Sequence, residues 1–358
     1  MKRILQIASA FIGIVVGAGF ASGQEILQYF TSFGYIGTIG SIVSTGLFAY
    51  LGMTLTRLGS KYQTTSHREV IYLMSGRFLG TMVDYIIVFT LFGVGVVMIA
   101  GAGSIFSQQF GLSSFAGITV MTILVILTVM MNVNRVIAVI ASITPFLILT
   151  VILLSIYSMM TMDTSFAAME PIARNQPAAL SNWFISAVNY VSFNIALGAP
   201  MALVMGGSEK NERIATIGGL LGGLGIGLLI VFNHLAIFSN MEAVVGYEMP
   251  ILKIADDLSP ILGMLYSIIL FGMIFNTAVS MFFSFGSRFM KSETKSFRMF
   301  IVFTILTAFA LSFVGFTELV SFFYPLIGYL GLFLIAVLII VPFRLHKKKN
   351  GNAQVENN

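Results

Sequence analysis

Few residues in this 358-residue chain can do chemistry, because Asp, Glu, Lys and Arg together make up only 9% of it. Glu25 is the most unusual of them. It ends the string Gly13-Ile14-Val15-Val16-Gly17-Ala18-Gly19-Phe20-Ala21-Ser22-Gly23-Gln24-Glu25, inside a long apolar run. An ionisable side chain in such a run is costly and points to function: it can carry a proton, or hold a cation or a cationic ligand. Its other reading is an acid near the start of a half-helix, where the dipole favours negative charge. Asn194 is a second polar side chain in mid-run, within Phe193-Asn194-Ile195-Ala196-Leu197-Gly198-Ala199-Pro200. It can orient a ligand or ion, or hydrogen-bond a neighbouring helix. Asn276, Thr277 and Ser280 form a third group. Residues three or four apart share a helix face, and neutral oxygens so arranged suit a hard monovalent cation. Asp84 is expected to pair with Arg77 or Arg57 at an inner gate.

Other chemistries drop out. The chain has no Cys, which removes disulfides, thiolate metal sites and Cys nucleophiles. Its three His, at 67, 234 and 346, fall in different regions, and no HExxH or Ser/His/Asp cluster is readable. A lone His234 is too little for a metal site. An enzyme is therefore not expected, nor any cofactor beyond a coupling ion.

The elements that must position these residues are membrane helices. Hydrophobic residues make up 57% and mean hydropathy is +0.96. Crossing a ~30 Å hydrocarbon core takes about 20 apolar residues. Ten such stretches are readable, at about 4–31, 35–56, 80–106, 115–132, 136–161, 181–206, 214–239, 260–286, 299–316 and 320–343. Of the 19 Lys and Arg, all but Arg174 and Lys253 then fall on the side of the N-terminus. Cytoplasmic loops are the ones rich in Lys and Arg, so both termini are expected inside a bacterial cytoplasmic membrane. The expected organisation is one transporter domain over 1–345, with a polar, mobile cytoplasmic tail at 346–358. The partners are a lipid bilayer and a small molecule. The basic residues are spread by topology and form no nucleic-acid patch.

The two halves repeat. Spans 1–5, over about 4–161, and spans 6–10, over about 181–343, start at offsets of roughly 180 residues. Because five is odd, the second unit sits upside down, the inverted repeat used by secondary transporters. Val16-Gly17-Ala18-Gly19 and Leu197-Gly198-Ala199-Pro200 recur at about the same offset, so helices 1 and 6 are both expected to break at mid-membrane. Unpaired backbone at that depth is tolerated only where it lines a cavity or binds something.

Gly13-x-x-x-Gly17-Ala18-Gly19-Phe20 resembles the signature of the amino acid–polyamine–organocation superfamily, whose LeuT-like fold has five plus five inverted spans. The longer string Gly17–Glu25 is similar to that of YkvI-type bacterial membrane proteins, regarded as amino-acid permeases. The resemblance implies an all-α secondary transporter of a small amino acid or related amine, working by alternating access. It implies that backbone N–H groups of Gly17, Ala18 and Gly19 take a substrate carboxylate. Carbonyls near Val16 and in the stretch containing Asn194, Leu197 and Gly198 would accept an ammonium. It also implies a Na⁺ site from Gly13, Val16, Asn276, Thr277 and Ser280, with Glu25 in coupling. The chain departs from the superfamily at span 6, where Phe193-Asn194-Ile195-Ala196 replaces an aromatic-glycine-acid string. H⁺ coupling, an uncoupled permease for another metabolite, and a channel or sensor that keeps the fold remain open alternatives.

Overall fold

The computed structural model describes residues 1–64, 67–130, 149–150, 152–157, 160, 165–290 and 294–355, with backbone alone for 67–79, 334 and 337–355. All described regular structure is helical. Span 1 comes in pieces: α1 (Lys2–Val15), α2 (Ala18–Ser22) and α3 (Gln24–Tyr29). Then follow α4 (Tyr35–Tyr62), α5 (His67–Phe110), α6 (Ser114–Val129) and the short α7 (Phe166–Arg174). The second half holds α8 (Trp183–Gly207), α9 (Glu212–Ser239), α10 (Pro250–Leu258), α11 (Pro260–Phe289), α12 (Lys295–Ser312) and α13 (Phe316–Val355).

Seven helices among the described residues are long and apolar enough to cross a membrane, and α6 is a shorter apolar one. The expected spans from 35–56 to 320–343 each fall on one of these helices, except the fifth. That span, at 136–161, lies mostly outside the described residues, as do its Ser142, Thr144, Pro145 and Ser158. α13 continues through most of the expected tail, to Val355.

Polar side chains fix where helices begin. The Asn182 carboxamide oxygen accepts from the N–H groups of Phe184 (2.9 Å) and Ile185 (3.1 Å). Asn211 does the same for Arg213 and Ile214 at the start of α9. Both satisfy first-turn donors that have no intrahelical partner. The cap of α4 is tertiary: the Glu170 carboxylate, on α7, accepts from the Tyr35 N–H at 2.8 Å and from Arg174 at 2.5 Å.

In lipid there is no hydrophobic force between helices, so close backbone approach through small residues takes its place. The α4/α9 contact works this way. A Cβ on Gly219 would collide with the Gly52 carbonyl, and one on Gly223 with that of Phe48. α8 lies along α4 and α13, and α5 along α11 and α13. Span 1 runs through the middle of this assembly, with Phe11, Phe20, Tyr29 and Phe30 fully buried.

Candidate functional site

Span 1 breaks at Val16 and Gly17. Val16 has φ −75° and ψ 85°, and Gly17 is extended at φ −99° and ψ −172°. The Gly17 N–H donates to the Val15 carbonyl at 2.9 Å instead of reaching back four residues. No backbone N–H among the described residues then serves the carbonyls of Gly13, Ile14 or Val16. Their residues line a cavity of about 580 Å³.

The cavity gathers residues that are far apart in sequence. Gly13, Val16, Gly17, Ala18, Gly19 and Glu25 border it from span 1, Asn194 and Leu197 from α8, and Asn276, Thr277 and Ser280 from α11. Gly198 does not border it: its open side faces Ile14 and Val15 of α1, so it is a packing contact.

The expected break in helix 6 is a correction. α8 runs unbroken from Trp183 to Gly207 with Pro200 inside it. A proline withholds one N–H, here the donor to the Ala196 carbonyl, and the turns on either side keep theirs. Only one carbonyl of the Asn194–Gly198 stretch is released, instead of the expected set. Asn194 binds neither an adjacent helix nor open space with its nitrogen, since Nδ2 donates to the Tyr190 carbonyl of its own helix at 2.9 Å.

Glu25 lies at the buried end of the cavity, only 5% exposed. Tyr190 Oη donates to its Oε2 at 3.3 Å. Its carboxylate covers Gly19 so closely that a Cβ there would collide with Oε1. Beyond it, buried aromatic rings close the bundle. Phe193 stacks on Tyr324 at 4.7 Å between centroids, and Tyr190 meets Phe30 (5.0 Å), Tyr29 (5.3 Å) and Phe193 (5.3 Å) edge-on. At the opposite end Arg288 binds Asp84 at 2.6 Å, and Ser284 and Met201 on the lining are exposed. The cavity therefore opens on the side that carries the N-terminus.

Of the two partners expected for Asp84, Arg57 is engaged elsewhere, and Arg288 is a partner the sequence did not suggest. Arg57 pairs with Glu212 at 3.4 Å, and Arg288 takes Asp84; the Arg77 side chain lies outside the described residues. Sequence reasoning missed Arg288, Ser284 and Tyr190, although spacing carried them. Ser284 and Arg288 follow Ser280 by four and eight residues on one face of α11, and Tyr190 precedes Asn194 by four on α8. His234 is remote from the cavity. It is fully buried between the hydroxyls of Thr31 (3.0 Å to Nδ1) and Thr38 (2.9 Å to Nε2). No group of three metal-ligating side chains occurs among the described residues.

No family model matches the chain. It is 28% identical over 338 residues to the uncharacterized membrane protein YkvI of Bacillus subtilis strain 168, covering 93% of this chain and 94% of the relative. The chain is homologous to YkvI. Among solved structures it is similar to MhsT in complex with L-phenylalanine, with a TM-score of 0.59 and 17% identity over 94% of this chain and 87% of that one. It is also similar to the inward-facing conformation of Mhp1, with a TM-score of 0.64 and 11% identity over 96% and 77%. The YkvI homologue thus has the fold of LeuT-type transporters and is a membrane protein with several apolar spans.

Proposed function

We propose that this protein is a secondary active transporter that carries a small amino acid or related amine across the bacterial cytoplasmic membrane by alternating access, coupled to Na⁺. One observation carries the reading. A helix broken at Val16–Gly17 leaves unpaired carbonyls beside a cavity that is shut by aromatic rings at one end and open at the other. Lipid cannot satisfy such backbone, and a carrier needs a binding site reached from one side at a time.

In this reading both termini are cytoplasmic, and the open end, with Asp84 and Arg288, faces the cytoplasm. Na⁺ takes the carbonyls of Gly13 and Val16 with the oxygens of Asn276, Thr277 and Ser280. Their chemistry fits, because Na⁺ prefers several neutral oxygens, and the Thr277 hydroxyl lies 4.0 Å from where a Cβ on Gly17 would stand. Glu25 joins the coupling.

A specific observation also favours H⁺ coupling. Glu25 is a buried carboxylate on the cavity wall, with no ion pair among the described residues. Purified protein in liposomes separates the two readings. Saturable uptake of an amino acid or amine that follows an imposed Na⁺ gradient supports Na⁺ coupling, and uptake that follows a pH gradient alone transfers coupling to Glu25. Folded protein that gives no gradient-driven flux across a broad screen refutes the carrier. Unitary currents in place of saturable flux would make it a channel.

A further inference from the structure

Three ionisable side chains border the cavity among the described residues: Glu25, Asp84 and Arg288. Asp84 is paired with Arg288 at 2.6 Å. Glu25, at the far end, has only a neutral partner, the Tyr190 hydroxyl on Oε2. Among the described residues no hydrogen bond is made to its Oε1, and the residue lines the cavity.

The position of Glu25 matters as much as its charge. Its carboxylate overlies Gly19, where the Tyr324 hydroxyl also closes in, 3.2 Å from the place of a Cβ. That is the backbone to which the superfamily resemblance assigns a substrate carboxylate. A ligand carboxylate approaching Gly17–Gly19 would meet the Glu25 carboxylate at near contact, in a site shielded from water. Two carboxylates so placed cannot both stay ionised without strong repulsion, whereas an ammonium in the same spot favours the ionised form of Glu25 and pairs with it. The rest of the break also favours a donor. The carbonyls of Gly13, Ile14 and Val16 can only accept hydrogen bonds, and an ammonium is a three-way donor. The rest of the lining is apolar and adaptable: the thioethers of Met98, Met273 and Met281, with Phe193 and Leu197. Methionine surfaces accommodate alkyl and aryl groups of varied shape.

We propose that the preferred ligand is a primary amine with an apolar body and no carboxylate, its ammonium on Glu25 and its body on the methionine wall. This rests on the reading of the cavity as a carrier's binding site, and narrows it from amino acids and amines to amines.

Matched ligands that differ only in the carboxylate test it on the full chain, in detergent or nanodiscs, at fixed Na⁺. Phenethylamine is compared with L-phenylalanine, and isoamylamine with L-leucine, with 3-phenylpropionate as the acid alone. Calorimetry gives affinity, and thermal unfolding reports ligand stabilisation of the folded state. Each amine is expected to bind at least tenfold more tightly than its amino acid, and the acid not at all. Glu25→Gln should weaken amine binding tenfold or more and leave the amino acids near their starting affinity. The ligand comparison on the unmodified protein needs no variant, so it stands even if Glu25→Gln folds poorly. Amino acids binding as tightly as their amines, or no amine binding at all, overturns the proposal. So does a folded Glu25→Gln that binds amines unchanged. Amine binding without gradient-driven flux would support this ligand class and refute the carrier reading, so the two fail separately.

Discussion

The two glycines of the span 1 break are equivalent in sequence and opposite in structure, so alanine substitution should separate them. Gly17 is extended, a backbone conformation any residue adopts, and an added Cβ would meet only the Thr277 hydroxyl at 4.0 Å. Gly17→Ala should be neutral or stabilise by about 0.4–1 kcal/mol, through loss of unfolded-state freedom. Gly19 has no room. Its Cβ would collide with Glu25 Oε1, lie 2.7 Å from Glu25 Cδ and stand 3.2 Å from Tyr324 Oη. To clear it, Glu25 must swing into the cavity and give up its bond from Tyr190. Overpacking of this kind costs about 1–3 kcal/mol. At roughly 2 °C per kcal/mol for a chain of this size, Gly19→Ala should lower the midpoint of thermal unfolding by about 2–6 °C. Truncating the side chain it strikes should remove most of that cost. Gly19→Ala made on a Glu25→Ala background should therefore be about 1 kcal/mol or more milder than on the native one, a coupling typical of residues in contact. Unfolding midpoints of the purified variants decide it. Equal losses for Gly17→Ala and Gly19→Ala, or the same Gly19→Ala cost on both backgrounds, would refute the assigned position of Glu25.

Arg288→Ala takes the guanidinium from a mostly buried Asp84 and should cost about 1–3 kcal/mol. The Asp84→Ala/Arg288→Ala double variant should lose less than the sum of the single ones, read from unfolding midpoints; strict additivity would deny the pair. His234→Ala removes a buried ring and the shared partner of Thr31 and Thr38, for an expected loss of about 2–4 kcal/mol. A loss under ~0.5 kcal/mol would show that the ring is not held there. Na⁺ at a hundredfold its Kd should stabilise the native protein by about 2.7 kcal/mol. Thr277→Val and Ser280→Ala should each reduce that gain in a titration of NaCl against choline chloride, and unchanged Na⁺ stabilisation in both would remove α11 from the ion site.

The break in span 1 was legible because its cause is local. Gly17-Ala18-Gly19 loosens the helix where it stands, and the surrounding apolar run fixes its depth. The break expected at Leu197–Pro200 rested on similar local logic and failed. Pro200 costs the helix one donor, and the packing of Gly198 on Ile14 and Val15 holds the adjoining turns in place. Whether a weak point opens depends on what presses against it, which a single sequence does not contain. The Asp84–Arg288 pair joins residues about 200 positions apart on α5 and α11, and several arginines were equally plausible before the helices were packed. Residues on the same face of one helix were within reach. Ser284 and Arg288 continue the row of Thr277 and Ser280, and following that row to its end would have found the mouth of the cavity.

The asymmetry between spans 1 and 6 constrains how any ligand can sit. α8 keeps its hydrogen-bond ladder, so it offers the cavity side chains and little free backbone. Those side chains are Phe193 and Leu197, plus Asn194, whose nitrogen is already engaged with Tyr190. Polar recognition must therefore come from the opposite wall, from the carbonyls and Glu25 of span 1 and the oxygens of α11. The same row on α11 marks the way out, because Thr277, Ser280, Ser284 and Arg288 descend one face from the break to the open end. A cation leaving along it exchanges the carboxylate of Glu25 for hydroxyl oxygens and then reaches Arg288. An unpaired guanidinium there would repel it. Its ion pair with Asp84 at 2.6 Å offsets that repulsion, which is what the proposed cationic ligand requires of the exit.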